Sequence, residues 1–178
     1  MRRSVNERLS DPNKSDIRYP VIVNGFIPQA PNPYFVGRER ELKALFIDSG
    51  GYRGVTRLGI PIAITGLAGI GKTHLALAFA YRFNLFFPEG VYWIDTPNGI
   101  VNEFGKIGHH LGVKRFQDER PNDYAERVLE NLRLLHNGLV IFDNVSNFSE
   151  FRQWCPTGSA SCSVILTTRM SPRGFPAW

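Results

Sequence analysis

The chain has 178 residues, 43% of them apolar and 21% charged, enough for one globular domain with a sizeable core and a tail. Its polar start from Met1 to Asp16 holds no apolar run of the signal-peptide kind, and no stretch approaches the roughly 20 apolar residues of a membrane span, so a soluble, cytoplasmic protein is expected. The formal charge of +5 raises nucleic-acid binding, but Arg2 and Arg3 stand in the tail while Arg38, Arg40 and Lys43 alternate with Glu39 and Glu41 as on a solvated helix face, so neither nucleic acid nor membrane is an expected partner.

Residues 1–32 are polar and punctuated by Pro20, Pro28 and Pro31, with Pro33 following. No long helix fits there, and the segment reads as a flexible arm or linker ahead of a domain over residues 33–178. Apolar positions at helical spacing behind Arg38 and Glu39 predict a short helix through Phe46. Gly50, Gly51, Gly54 and Gly59 then make a loop. Residues 60–65 are apolar enough for a strand, and 74–86 for a helix.

A second strand is expected over residues 90–95 and a helix over 101–111, although Gly105 and Gly108 each weaken it by about 1 kcal/mol. In residues 123–136, Tyr124, Val128, Leu132 and Leu135 share one helical face, and Asn137-Gly138 supplies a stop. Residues 139–143 and 163–168 complete the strands. Strands alternating with helices give an α/β fold of three layers, a mostly parallel sheet flanked by helices. Cys155 and Cys162 match no zinc or disulfide pattern and read as buried thiols, and His74, His109, His110 and His136 have no metal-like spacing.

Gly66-Leu67-Ala68-Gly69-Ile70-Gly71-Lys72-Thr73 fits G-x-x-x-x-G-K-[ST], the Walker A pattern, between an apolar strand and a helix. Its glycines let the backbone wrap phosphate oxygens with N–H groups turned inward. Lys72 would neutralise the β- and γ-phosphates of ATP or ADP, the Thr73 hydroxyl would ligate Mg²⁺, and the helix would present its positive end to the anion. His74 follows closely enough to lie near the phosphates, without a catalytic role. Leu139-Val140-Ile141-Phe142-Asp143 is an apolar run ending in a carboxylate at the ligand edge of the sheet, where Asp143 would hold Mg²⁺. Taken alone, Asp143 reads more readily as the cap of a turn with Asn144, and it is the pairing with the glycine loop that favours the metal role.

With these two motifs placed, three further segments resemble the NB-ARC domains of the STAND class of signal-transduction NTPases. Tyr34-Phe35-Val36-Gly37-Arg38-Glu39 is similar to the family's N-terminal hhGRE motif. The segment from Ser161 through Thr167-Thr168-Arg169 resembles its sensor segment, and Gly90-Val91-Tyr92-Trp93-Ile94-Asp95 its second strand. The resemblance implies that Val36, Gly37 and Arg38 close over the nucleotide and that Arg169 reports the γ-phosphate. Without it, Val36 is a core residue, Arg38 one charge of a solvated helix, and Arg169 a loose charge. It also implies a strand order 5-1-4-3-2, a nucleotide-dependent switch, and protein partners or self-association through C-terminal domains.

Two departures from the family pattern set further expectations. Asn144 stands where the family often has a second acid, and it cannot act as a general base, so ATP hydrolysis is expected to be slow at most. Nine residues follow Arg169, so the domain is expected to be incomplete at its C-terminus, with the strand at 60–65 left as a sheet edge prone to association unless the arm covers it. The alternatives are an AAA or origin-recognition-like ATPase acting on DNA, a small-molecule kinase, and an inactive fragment of a larger regulator.

Overall fold

Short apolar runs become parallel strands in the computed structural model, which describes residues 24–50, 60–156 and 162–170. The strands are β1 (Gly25–Phe26), β2 (Ile62–Thr65), β3 (Val91–Asp95), β4 (Leu139–Val145) and β5 (Ser163–Thr168). They lie in the order β1-β3-β4-β5-β2, and every pairing is parallel. The helices are α1 (Glu39–Asp48), α2 (Lys72–Phe83), α3 (Ile100–His110), α4 (Pro121–Arg133) and α5 (Phe148–Trp154). This is an α/β, three-layer fold of the P-loop NTPase type. The polar start, the loop glycines Gly51, Gly54 and Gly59, Ser161 and the last eight positions lie outside the described residues.

Alternation along the strands divides the core in two, because successive side chains in a strand point to opposite faces. Val91 and Trp93, Leu139 and Ile141, and Ile165 pack with α1 and α2. Tyr92 and Ile94, Val140 and Phe142, and Val164 and Leu166 pack with α3, α4 and α5. Burial on both faces explains why β4 reads as a continuous apolar run rather than an alternating one. Among the described residues no helix is long and apolar enough to cross a membrane.

The four strands expected from the sequence keep the relative order 1-4-3-2, which leaves β2 paired with β5 alone among the described residues. The arm does contribute a strand, but not at that edge: Gly25 and Phe26 pair with Val91 and Tyr92 on the far side of the sheet. Gly25 has φ 117°, and a Cβ there would stand 2.1 Å from the carbonyl oxygen of Val91. Only glycine permits that approach. Phe26 then stacks on His110 at 4.9 Å between ring centroids.

One expected helix is borne out and one is added. α3 forms despite its glycines, because Gly108 lets α4 come close: a Cβ there would lie 2.4 Å from the Tyr124 hydroxyl oxygen and 2.6 Å from a Val128 methyl. α5 was not expected, although its signals are present in short form. Asn147 caps it by accepting the Glu150 N–H at 3.2 Å. Phe148, Phe151 and Trp154 then follow at three-residue spacing, and Phe151 and Trp154 are buried. Elsewhere only ends move: α2 starts at Lys72 and yields to a 3₁₀ turn over Asn84–Phe86, while β4 runs two residues past Asp143.

Candidate functional site

β2 carries the chain into the glycine loop and α2 carries it away, placing the loop at the carboxyl-terminal edge of the sheet. Gly66, Gly69 and Gly71 have φ of 150°, 75° and 89°, a region that side chains rarely tolerate. No atom lies within 4 Å of a Cβ position on Gly69. Leu67, Ala68, Gly69 and Ile70 are exposed. Gly71 caps α2 without any side-chain acceptor, so the positive end of the helix and its first N–H groups are available to an anion.

Lys72 is buried, and its ammonium donates to the carbonyl oxygens of Gly66 and Leu67, each at 2.8 Å. An ammonium has three donors, so these contacts close the loop upon itself and leave one. The next residue reaches the sheet: the Thr73 hydroxyl donates to both carboxylate oxygens of Asp143, at 2.9 and 3.1 Å. The Thr167 hydroxyl donates to Asp143 Oδ1 at 2.5 Å, and the Asn144 side-chain amide to Oδ2 at 3.1 Å. Thr96 donates its hydroxyl to the Asp143 backbone carbonyl at 2.8 Å.

Asp143 is 2% exposed. Burial pushes its carboxyl above the ordinary 3.8, the hydrogen bonds from Thr167 and Thr73 oppose that rise, and the carboxylate of Asp95, its register partner on β3, adds to it. A hydroxyl and a carboxylate are the hard oxygen donors that Mg²⁺ takes, and Mg²⁺ draws its remaining ligands from water and phosphate. Among the described residues no group of three His, Cys, Asp or Glu gathers to hold a metal ion. The donor set therefore suits a shared metal site and not a protein-only cage.

Two cavities open on this edge. One of about 200 Å³ is lined by Ala68, Gly69, Gly71, Lys72, Thr73, His74, Asn144 and Arg169. The other, of about 550 Å³, is lined by Lys72, Pro97, Asn144, Val145, Ser146, Thr168, Arg169 and Met170. Lys72, Asn144 and Arg169 border both. Of the remaining residues singled out in the sequence, Arg38 reaches the loop, donating to the Ile70 carbonyl oxygen at 2.5 Å. Gly37, at φ 77°, turns the chain ahead of it. Val36 is 86% exposed and is not a core residue.

Thr167 is the residue that the sequence reading passed over. It stands in the sensor-like segment, donates to Asp143 and accepts the Asn144 backbone N–H at 2.9 Å. A register shift between Phe142 and Val145 produces this arrangement: Asn144 sits at φ 62° and β4 bulges against β5. Asparagine's tolerance of the left-handed region was the available signal.

No protein-family model matches the chain. Regulatory protein AfsR of Streptomyces coelicolor is 28% identical over 151 residues, covering 76% of this chain and 14% of that protein. Regulatory protein AfsR of Streptomyces griseus is 26% identical over 155 residues, covering 78% of this chain and 14% of that protein. A nucleotide-binding leucine-rich repeat (NLR)-like protein of Hyaloscypha variabilis is 36% identical over 78 residues, 43% of this chain and 8% of that protein. The chain thus spans about a seventh of the length of the AfsR relatives it matches. At this modest identity the relatives are in keeping with the NB-ARC resemblance.

Proposed function

We propose that this chain is the ATP- and ADP-binding portion of a STAND-type regulatory NTPase, in which the identity of the bound nucleotide sets a signalling state. The observation that carries the reading is the convergence of Lys72, Thr73 and Asp143, from a glycine loop, a helix N-terminus and a strand end, within hydrogen-bonding reach of one another or of the loop. The open space at Gly69 and the uncapped start of α2 support a polyphosphate ligand. The relatives, two regulatory proteins and an NLR-like protein, support a regulatory role.

In this reading the loop amides and Lys72 bind and orient the phosphates, and Thr73 and Asp143 hold Mg²⁺. The metal supplies charge neutralisation for the terminal phosphates when bound. Asn144 hydrogen-bonds Asp143 and borders both cavities, where it can orient a water but not accept its proton. Arg169 borders the same cavities as a planar donor for phosphate oxygens. Slow hydrolysis suits a switch. A DNA-acting ATPase is less well supported, because Arg82, Lys106 and Arg127 are engaged with Glu39, Glu103 and Glu119.

The test is a thermal shift with ADP and Mg²⁺. At a ligand concentration a hundred times Kd, binding to the folded state alone stabilises by about 2.7 kcal/mol. For a domain of this size that is a rise of roughly 5–10 °C. Lys72→Ala is expected to remove most of the rise, and a rise of the same size in the variant would refute binding at this loop.

A further inference from the structure

Resting on the nucleotide-binding reading, we infer that Arg38 is a positioning residue for the phosphate cradle, acting on the loop backbone and not on the nucleotide. The resemblance implies direct contact with the nucleotide, whereas the geometry gives the guanidinium a different partner. Gly37 and Arg38 take successive left-handed conformations, φ 77° and φ 56°, a costly arrangement for a residue with a side chain. That turn starts α1, with the Arg38 carbonyl accepting the Leu42 N–H at 3.0 Å. The Arg38 side chain takes no part in capping. It crosses to the glycine loop, where Nη2 donates to the Ile70 carbonyl oxygen at 2.5 Å and stands 3.8 Å from a Cβ position on Gly71.

The start of α1 is tethered to α2 by a second contact, the ion pair between Glu39 and Arg82 at 2.7 Å. Arg38 is therefore presented to the loop by a fixed element. In a trans peptide the C=O and N–H groups point in opposite directions. Holding the Ile70 carbonyl toward Arg38 sends the N–H of the same peptide, that of Gly71, the other way, and Gly71 lines the smaller cavity. Lys72 holds the carbonyls of Gly66 and Leu67 at the other end of the loop. The loop is thus tethered through its carbonyls by one cation at each end, an arrangement that keeps its amides free for an anion.

The experiment titrates Mg²⁺-ADP and, separately, Mg²⁺-pyrophosphate into the full chain, as wild type, Arg38→Ala and Arg38→Lys, with ¹⁵N-glycine labelling to follow the Gly71 amide. Arg38→Ala is expected to weaken both ligands by the same factor, about tenfold for one charge-assisted hydrogen bond. The Gly71 resonance is expected to move in the ligand-free variant. Arg38→Lys keeps a charged donor and is expected to recover part of the affinity for both ligands, which also serves as the test should Arg38→Ala fail to fold. Pyrophosphate bound at wild-type affinity beside weakened ADP would overturn the inference, since Arg38 would then touch base or ribose. Unchanged binding of both ligands would overturn it too. A wild-type chain that binds neither ligand would instead remove the nucleotide-binding reading beneath it, a result distinct from the other two.

Discussion

Replacing Thr167 with Val removes one oxygen from the centre of the site while keeping the side chain's shape. Thr167 is 0% exposed, and its hydroxyl both donates to Asp143 Oδ1 at 2.5 Å and accepts the Asn144 N–H at 2.9 Å. A hydrogen bond to a charged group is worth about 1.5–3 kcal/mol. Asn144 is exposed, so water can satisfy its freed N–H, and the added methyl returns about 0.8 kcal/mol of burial. The net cost is about 1.5 kcal/mol at neutral pH, or roughly 3–6 °C in melting temperature for a domain of this length. Thr167→Ser keeps both hydrogen bonds and is expected to cost about half as much. The pH dependence gives a second handle. The folded-state pKa of Asp143 is raised, so its own contribution to stability is fully present below the ordinary 3.8 and is lost as pH rises through the elevated value. The bond from Thr167 opposes that loss, because it favours the ionised carboxylate. The gap between wild type and Thr167→Val is therefore expected to narrow as pH falls through the Asp143 titration. Urea unfolding of the three proteins at neutral and acid pH measures this. A Val variant as stable as wild type, or a gap that widens toward acid, would refute the reasoning.

Three further outcomes are expected. Phosphate release by the wild type should take minutes or longer per turnover, and Asn144→Asp should accelerate it, since general-base assistance is typically worth about 10²–10⁴-fold; several turnovers per second in the wild type would contradict this. Gly108→Ala should destabilise the fold by about 1–3 kcal/mol in chemical denaturation, because overpacking against Tyr124 and Val128 outweighs the gain in helix propensity. Burial pushes the Cys162 thiol up to about 12 and that of Cys155 higher still, so neither should react with a thiol reagent at pH 8 in the folded protein, and both should react once it is unfolded.

The parts of the fold legible in the sequence are those where one signal dominates. β4 and β5 are buried on both faces, and their apolar runs leave little room for another reading. The glycine loop was legible because its residue types are required by its backbone. Elements whose evidence is spread over few residues escaped: α5 has seven residues and one cap, and β1 has two residues inside a segment that its prolines marked as irregular. Gly108 weakened a helical signal that the structure nonetheless bears out. A glycine lowers helix propensity wherever it stands, but the compensating contact with α4 is tertiary and has no local signature.

The role of Thr167 follows from parity that the sequence holds but does not display until the sheet order is known. On β4, Ile141 faces α2 and Phe142 faces the opposite layer, so Asp143 is turned toward α2, where Thr73 meets it. On β5, Ile165 faces α2 and Leu166 does not, so Thr167 falls on the same side as Asp143. Without a bulge Val145 would continue that alternation and join them, placing an apolar side chain over the carboxylate. Instead Asn144 takes the left-handed conformation, the register slips, and Val145 packs with Phe142 in the other layer. The bulge thus ends the α2-facing series at Asp143 and leaves the site's edge to Asn144 and Arg169. In the proposed nucleotide-bound state Asp143, 2% exposed and held by three side-chain donors, would have to exchange one of them, the Thr73 hydroxyl, for the metal ion.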